Sequence, residues 1–278
     1  MENSDTYTDM GYMFSGCQEL KEVPAMNYAY PYHVRNFFED CRNLRQLPED
    51  FGSNWNWTRL QTYNYSYFTF FFYNCYSLRK IPAGLLSKFY GVQSSTSYAP
   101  TSSTFSGCYS LDEVRNFPIH QKALTNNIFT GFINNCNRLK TLTFKTNADG
   151  TPYTANWKNQ TIDFTSAPVG YASTTTVSNI LDYNSGITAA KQVKDDATYQ
   201  ALKNDPDWFT TDIGYSRYNH DSAVETINSL PDCSSSGGTN TIRFKGAAGS
   251  KTDGGAINTM TDAEIAVAAA KGWTVSFA

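Results

Sequence analysis

Apolar residues in the first half of the chain recur every three positions, in short bursts separated by polar residues. Phe14, Cys17, Leu20 and Val23 make the first burst, and Phe38, Cys41, Leu44 and Leu47 the second. Phe72, Cys75, Leu78 and Ile81 make the third, and Phe105, Cys108, Leu111 and Val114 the fourth. Ile133, Cys136, Leu139 and Leu142 close the series. The shared form is Phe-x-x-Cys-x-x-Leu-x-x-aliphatic, and successive cysteines stand 24, 34, 33 and 28 residues apart. A single unit of this kind cannot bury its own apolar side. Stacked units can, with Phe on Phe, Cys on Cys and Leu on Leu. The pattern therefore predicts an α/β solenoid whose short strands pair in parallel on one face, with short helices or turns on the other. Lys21–Val23, Arg45–Leu47, Arg79–Ile81 and Asp112–Val114 are the expected strands. Thr8 and Asp9 are expected to cap a helical turn opposite them.

The same register settles what the cysteines are for. Five of the six occupy one slot in five units, so they read as packed, free thiols that behave as small buried hydrophobes. No Cys-x-x-Cys pair argues for zinc. Cys233 lies outside the pattern in a Ser/Gly stretch and is expected to be exposed.

On these residues the chain resembles the BspA-like leucine-rich-repeat surface proteins. The stretch Thr8-Asp-Met-Gly-Tyr-Met-Phe-Ser-Gly-Cys17-Gln-Glu-Leu20 carries the resemblance, and the four later Cys-x-x-Leu blocks support it over residues 8–145. The resemblance implies a leucine-rich-repeat-like solenoid without catalytic activity, used for adhesion on bacterial surfaces or in phage-encoded virion proteins. The irregular spacing and long polar inserts depart from that family, so no binding target is carried over.

Residues 1–145 form the cysteine-containing array, and 146–278 read as irregular repeats that continue it in one solenoid. Leu142-Thr-Phe144, Ile162-Asp-Phe164, Ile242-Arg-Phe244 and Val275-Ser-Phe277 share one form and predict four more strands of the same sheet. Ala189–Lys203 has helical composition and ends before Asp205-Pro206. Ser222-Ala-Val-Glu225 and Thr261-Asp-Ala-Glu264 are capping-box patterns that open two further helices. The second runs to Lys271, stops at Gly272 and hands over to a strand at Trp273–Phe277, a helix–strand cap for the C-terminal end. The first unit begins about ten residues in, with no such cap before it. The N-terminal end is therefore expected to dock onto another chain, a second copy or another domain, or else the sequence is a fragment.

Charge and chemistry narrow the function by exclusion. The net charge is −3 and no basic cluster appears, so nucleic acid is not an expected partner. No run of 18 apolar residues predicts membrane insertion, and Met1–Phe14 lacks the basic start and apolar stretch of a signal peptide. The three histidines, His33, His120 and His220, are not spaced as metal ligands, and no nucleophile, phosphate-loop or metalloprotease motif is present. No enzyme activity, cofactor or metal is expected. His220-Asp221 reads as helix capping, and Asp253-Gly254-Gly255 as a turn.

The inserts that lengthen the units are rich in aromatics. Trp55, Trp57, Tyr63, Tyr65 and Tyr67 form one cluster, and Trp208, Tyr215 and Tyr218 a second. Such rings offer large contact area at low conformational cost, which suits recognition of a protein or glycan. The other reading is that they pack over the flanks of the solenoid. Two functions follow: a surface adhesion module at the cell surface, or a structural, receptor-binding or scaffold component of a virion.

Overall fold

The computed structural model describes residues 8–26, 29–56, 68–87, 101–119, 123–136, 139–165, 220–244 and 260–277. The architecture is mixed α/β, with short parallel strands and few helices. β1 (Thr8–Asp9) pairs with β2 (Pro31–His33), and β3 (Glu113–Phe117) with β4 (Thr141–Phe144). β5 (Thr161–Asp163), β6 (Asn240–Phe244) and β7 (Trp273–Phe277) form a third sheet, and every pairing is parallel. The helices are α1 (Ala83–Leu86), α2 (His220–Ser229) and α3 (Asp262–Ala270). The predicted helix at Ala189–Lys203 and the turn at Asp253–Gly255 lie outside the described residues.

The three-residue period of the sequence is a run of tight turns. Cys41 N–H donates to Phe38 O (3.0 Å) and Leu44 N–H to Cys41 O (3.2 Å), and the same two bonds recur in the other four units. A turn that closes on the third residue brings positions i and i+3 above one another, so Phe, Cys and Leu share one side. Two residues in each unit take the left-handed conformation. The residue before cysteine does so at Gly16, Asp40, Asn74, Gly107 and Asn135, and the residue two before the Phe or Ile at Tyr12, Asn36, Phe70, Ser103 and Gly131. Gly, Asn and Asp tolerate positive φ best, which accounts for the residue that precedes every repeat cysteine.

These turns send alternate amides out of the unit. Tyr12, Phe14 and Gly16 donate to the carbonyls of Arg35, Phe37 and Glu39 at 2.8–3.0 Å. Asn36, Phe38 and Asp40 repeat this toward Thr69, Phe71 and Tyr73. Phe70, Phe72 and Asn74 do so toward Ser102, Thr104 and Ser106, and Ser103, Phe105 and Gly107 toward Thr130, Phe132 and Asn134. The thiols answer in the opposite direction. Cys41 donates to Phe14 O, Cys75 to Phe38 O, Cys108 to Phe72 O and Cys136 to Phe105 O, each at 3.0–3.1 Å. The cysteines are thus polar fasteners as well as small hydrophobes. The rings of Phe14, Phe38, Phe72 and Phe105 stack in a file with centroids 5.3, 5.6 and 6.0 Å apart. Phe37 stacks on Phe71 beside it, 5.3 Å apart. The next unit places Thr104 at that position, fully buried, its hydroxyl shared between the carbonyls of Phe68 (2.8 Å) and Thr101 (2.9 Å).

Several expectations are corrected. Thr8 and Asp9 are a strand, not a helix cap. Of the four strands expected after the leucines, only Asp112–Val114 overlaps an observed one, β3. The cause is proline: Pro24, Pro48 and Pro82 follow the aliphatic residue in the first three units and cannot donate to a ladder, whereas Arg115 and Thr143 stand there in the last two. The four later strands all form, but they do not continue one sheet. β4 pairs with β3, and its other side is closed by α2 rather than by a strand. Thr226 Oγ1 donates to Leu142 O (2.6 Å) and Phe144 N–H donates to Ser229 Oγ (3.0 Å), so helix hydroxyls satisfy an exposed edge. Helix α2 starts at His220, placing Ser222 inside its first turn rather than at its cap.

The C-terminal sheet is joined to the array by buried amides. Asn127 Oδ1 accepts from Thr161 N–H (3.1 Å) and Asn240 Oδ1 from Gln160 N–H (3.0 Å). Gln160, with no exposed surface, donates to Asn126 O and Lys158 O and accepts from Ile128 N–H. The end of the chain matches expectation closely. Thr261 and Glu264 form a reciprocal capping box on α3, Gly272 (φ 78) turns the chain, and β7 follows. Trp273 fills the position opposite Asn240 and donates its indole N–H to Pro231 O (2.9 Å).

Cys17 is exposed, against expectation, because no unit precedes it among the described residues; Cys41, Cys75, Cys108 and Cys136 are buried. Cys233 is buried rather than exposed. Burial pushes the Cys41 thiol up to about 12 and Cys233 to about 11, and raises Cys75, Cys108 and Cys136 as well. Unfolded thiols ionise near pH 9 while the folded ones stay protonated. The stability they contribute is therefore complete below pH 9 and is lost as the pH climbs toward the folded values, at about 1.4 kcal/mol per pH unit for each thiol. Lys271, held down at about 8 by burial, acts in the opposite sense as a single group. Denaturant midpoints measured under reducing conditions should fall from pH 9 to 10.5, and a midpoint flat over that interval would contradict buried thiols. A second expectation separates two equivalent glycines. A Cβ on Gly107 would run into the Asn74 carboxamide, whereas one on Gly16 meets nothing. Gly16→Ala should cost about 1 kcal/mol of left-handed strain and Gly107→Ala about twice that or more, read from urea unfolding.

Candidate functional site

Where proline ends the third unit's extended segment, Pro82 also opens α1. One wall of a groove is formed there by Ala83, Leu86 and Ser87, with Lys80 and Ile81 just before them. The opposite side comes from β3 and the chain beyond β4. β3 carries a bulge: Val114 lies opposite Leu142 and Phe117 opposite Phe144, so three steps on β3 match two on β4. Asn116 absorbs the extra residue with φ 56, and its amide is taken up by Thr143 Oγ1 (3.0 Å). A bulge re-aims the side chains around it. Here it leaves both Arg115 and Asn116 exposed and facing the groove.

The groove encloses about 890 Å³, within the range of sites for small ligands, and is half open to solvent. Ile81, Leu86, Pro118 and Ile119 give it apolar surface, and Tyr153 adds an aromatic ring. Arg115 is held from three sides. Nε donates to Glu113 (2.7 Å), one terminal nitrogen to Glu225 on α2 (2.8 Å) and the other to Thr141 Oγ1 (3.3 Å). The hydrogen bond to Glu113, with that to Glu225, raises its already high pKa, so the guanidinium is a fixed charge. Lys80 and Lys145 are exposed and also line the groove, and neither forms an ion pair among the described residues.

Of the sequence candidates, only Trp55 is among the described residues, and it does not line the groove. Trp55 belongs to the core: it is 2% exposed, packs against Phe51 (5.3 Å) and Phe37 (5.7 Å), and donates its indole N–H to Met26 O. Its indole is too well matched to that pocket to serve as a surface contact. Trp57, Tyr63, Tyr65, Tyr67, Trp208, Tyr215 and Tyr218 lie outside the described residues. Tyr153, the ring that does line the groove, carries no signal in the sequence, since it sits alone after Thr151-Pro152. Of the histidines, His33 contacts Asp9 (3.0 Å), and His120 lies outside the described residues. His220 joins Asp221 (3.2 Å) to Glu264 (3.1 Å), tying the start of α2 to the start of α3, and those hydrogen bonds raise its pKa. Among the described residues no three His, Cys, Asp or Glu side chains gather as a metal site, and no helix is long and apolar enough to cross a membrane.

No family model matches the chain, and no curated protein or solved structure does so either.

Two interactions around the groove should differ in weight. The Arg115–Glu225 pair is about half exposed on both sides, so a double-mutant cycle with Arg115→Met and Glu225→Gln should give a coupling of about 0.5 kcal/mol. Thr226→Val leaves the Leu142 carbonyl buried without its donor and should cost about 1–2 kcal/mol. Urea unfolding of the parent and the four variants checks both, and a coupling equal to the Thr226→Val cost would contradict this ranking.

Proposed function

We propose that this chain is a leucine-rich-repeat-like solenoid of the BspA-like kind and that it acts as a non-catalytic recognition module, at a cell surface or on a virion. In this reading its ligand is a protein or glycan bound along the groove. The observation that carries it is the groove's arrangement of charge. On a bulged strand, one guanidinium is immobilised by a carboxylate of the strand and another from α2, while two ammonium groups form no ion pair among the described residues and stand beside apolar surface. Fixed polar groups beside apolar surface give orientation and affinity at low entropic cost. The repeated inter-unit hydrogen bonds support the solenoid, since each unit's backbone is completed by the next.

Glycan and surface-protein arrays probed with the whole chain identify the ligand class. For the ligand so found, Lys80→Ala combined with Lys145→Ala should weaken binding about tenfold or more while leaving the melting temperature within about 2 °C. Loss of binding on Trp57→Ala and Tyr65→Ala, with no effect of the lysine pair, would move the site to the aromatic inserts and sink the groove reading.

A further inference from the structure

We propose that the outer face of the first unit is a binding surface for one more Phe-x-x-Cys-x-x-Leu coil. The same interface occurs four times inside the molecule, each time with three amides running forward, and a thiol running back, between consecutive units. The first unit shows the receiving half of that interface unfilled. By register, the carbonyls of Gly11, Met13 and Ser15 correspond to those of Arg35, Phe37 and Glu39, which accept from the unit before. None of the three accepts a hydrogen bond from a described residue. The amide of Glu19 corresponds to those of Asn43, Ser77 and Ser110, which donate back to Gln18, Arg42 and Tyr76, and it has no such acceptor among the described residues. Cys17 corresponds to the four thiols that donate to a Phe carbonyl, and among the described residues it too has none.

Side chains agree with the backbone. Phe14, Cys17 and Leu20 begin the three apolar files, yet Phe14 and Leu20 are only half-buried and Cys17 is exposed. Their counterparts in the second unit, Phe38, Cys41 and Leu44, have no exposed surface. Tyr12 (52% exposed) and Met13 (43%) widen the same end, and the other exposed large hydrophobics among the described residues are Tyr30 (42%) and Val267 (37%). The chemistry of the occupant follows. It needs amides that project at alternate positions, which requires left-handed residues such as Gly, Asn or Asp before its cysteine. It also needs a Phe carbonyl for Cys17 and an apolar row to cover Phe14 and Leu20. A second copy mated first unit to first unit would set acceptor carbonyls against acceptor carbonyls and does not meet these needs. This inference concerns a different surface from the groove and holds whatever the groove binds.

Cys17 is the reporter, as the one exposed cysteine of the six. The full chain is alkylated with iodoacetamide, with and without a synthetic peptide of residues 10–33 carrying Cys17→Ser. Its control carries Phe14→Asp and Leu20→Asp as well. The expected result is a fall of about tenfold or more in Cys17 alkylation with the first peptide and none with the control. A second protein carries residues 10–33 duplicated ahead of Met10, with serine for the added cysteine. Shielding by the peptide supports the proposal. Shielding in the duplicated protein supports it as well, and shielding in neither overturns it. Concentration-dependent protection of Cys17 in the unmodified chain, matched by dimer in sedimentation, overturns the proposal in favour of a second copy.

Discussion

The alternation of backbone amides within each unit is the constraint on which the rest of the molecule depends. In the first, third and fourth units, amides two and four residues before the cysteine close turns inside the unit, as Ser15 does onto Tyr12 and Phe71 onto Phe68, while those one, three and five before it leave the unit for the next. Every donor of those three stretches is thereby used, as a buried backbone requires. The geometry holds only with two left-handed residues per unit, and where these are Tyr12 or Phe70 the conformation costs about 1–2 kcal/mol. The hydrogen bonds and the Phe, Cys and Leu files it creates offset that cost.

From this backbone the placement of the groove follows. A chain that satisfies itself unit by unit has little need of a sheet, and proline suppresses strands in the first three units. After the aliphatic residue of a unit, strand pairing appears only where proline does not follow, in β3 and β4, and there the pairing slips into a bulge. The same stretch then needs an edge cover, which α2 provides through Thr226 and Ser229. Glu225, on the same helix, reaches Arg115. The helix that protects the edge therefore also fixes the charge at the groove.

Much of this was legible in the sequence because it is local. The five units, the burial of four of their cysteines, and the α3–β7 ending with its capping box and Gly272 are written in short patterns with fixed spacing. So are two features that passed unread: Gly, Asp or Asn before each repeat cysteine, and proline after the aliphatic residue in three units. The groove was not legible, because its walls come from residues as far apart as Glu49 and Tyr153 and its anchor, Glu225, from a helix beyond a long insert. Trp55 misled for a related reason. A polar neighbourhood in sequence, Asn54-Trp55-Asn56, says nothing about the pocket between Phe37 and Phe51 that receives the indole. Cys233 sits among serines and glycines, yet Trp273 and the turn at Gly272 close over it from forty residues away.

Thr104 has a consequence of another kind. Units that share one interface are in principle interchangeable, and a chain of interchangeable parts can assemble in the wrong order. Where other units place Phe37, Phe71 or Phe132, the fourth places a buried hydroxyl whose acceptors are Phe68 and its own Thr101. Thr104 breaks that sameness: the file of rings stops there, so the fourth unit does not offer its neighbours the stacking face that Phe37 and Phe71 offer each other.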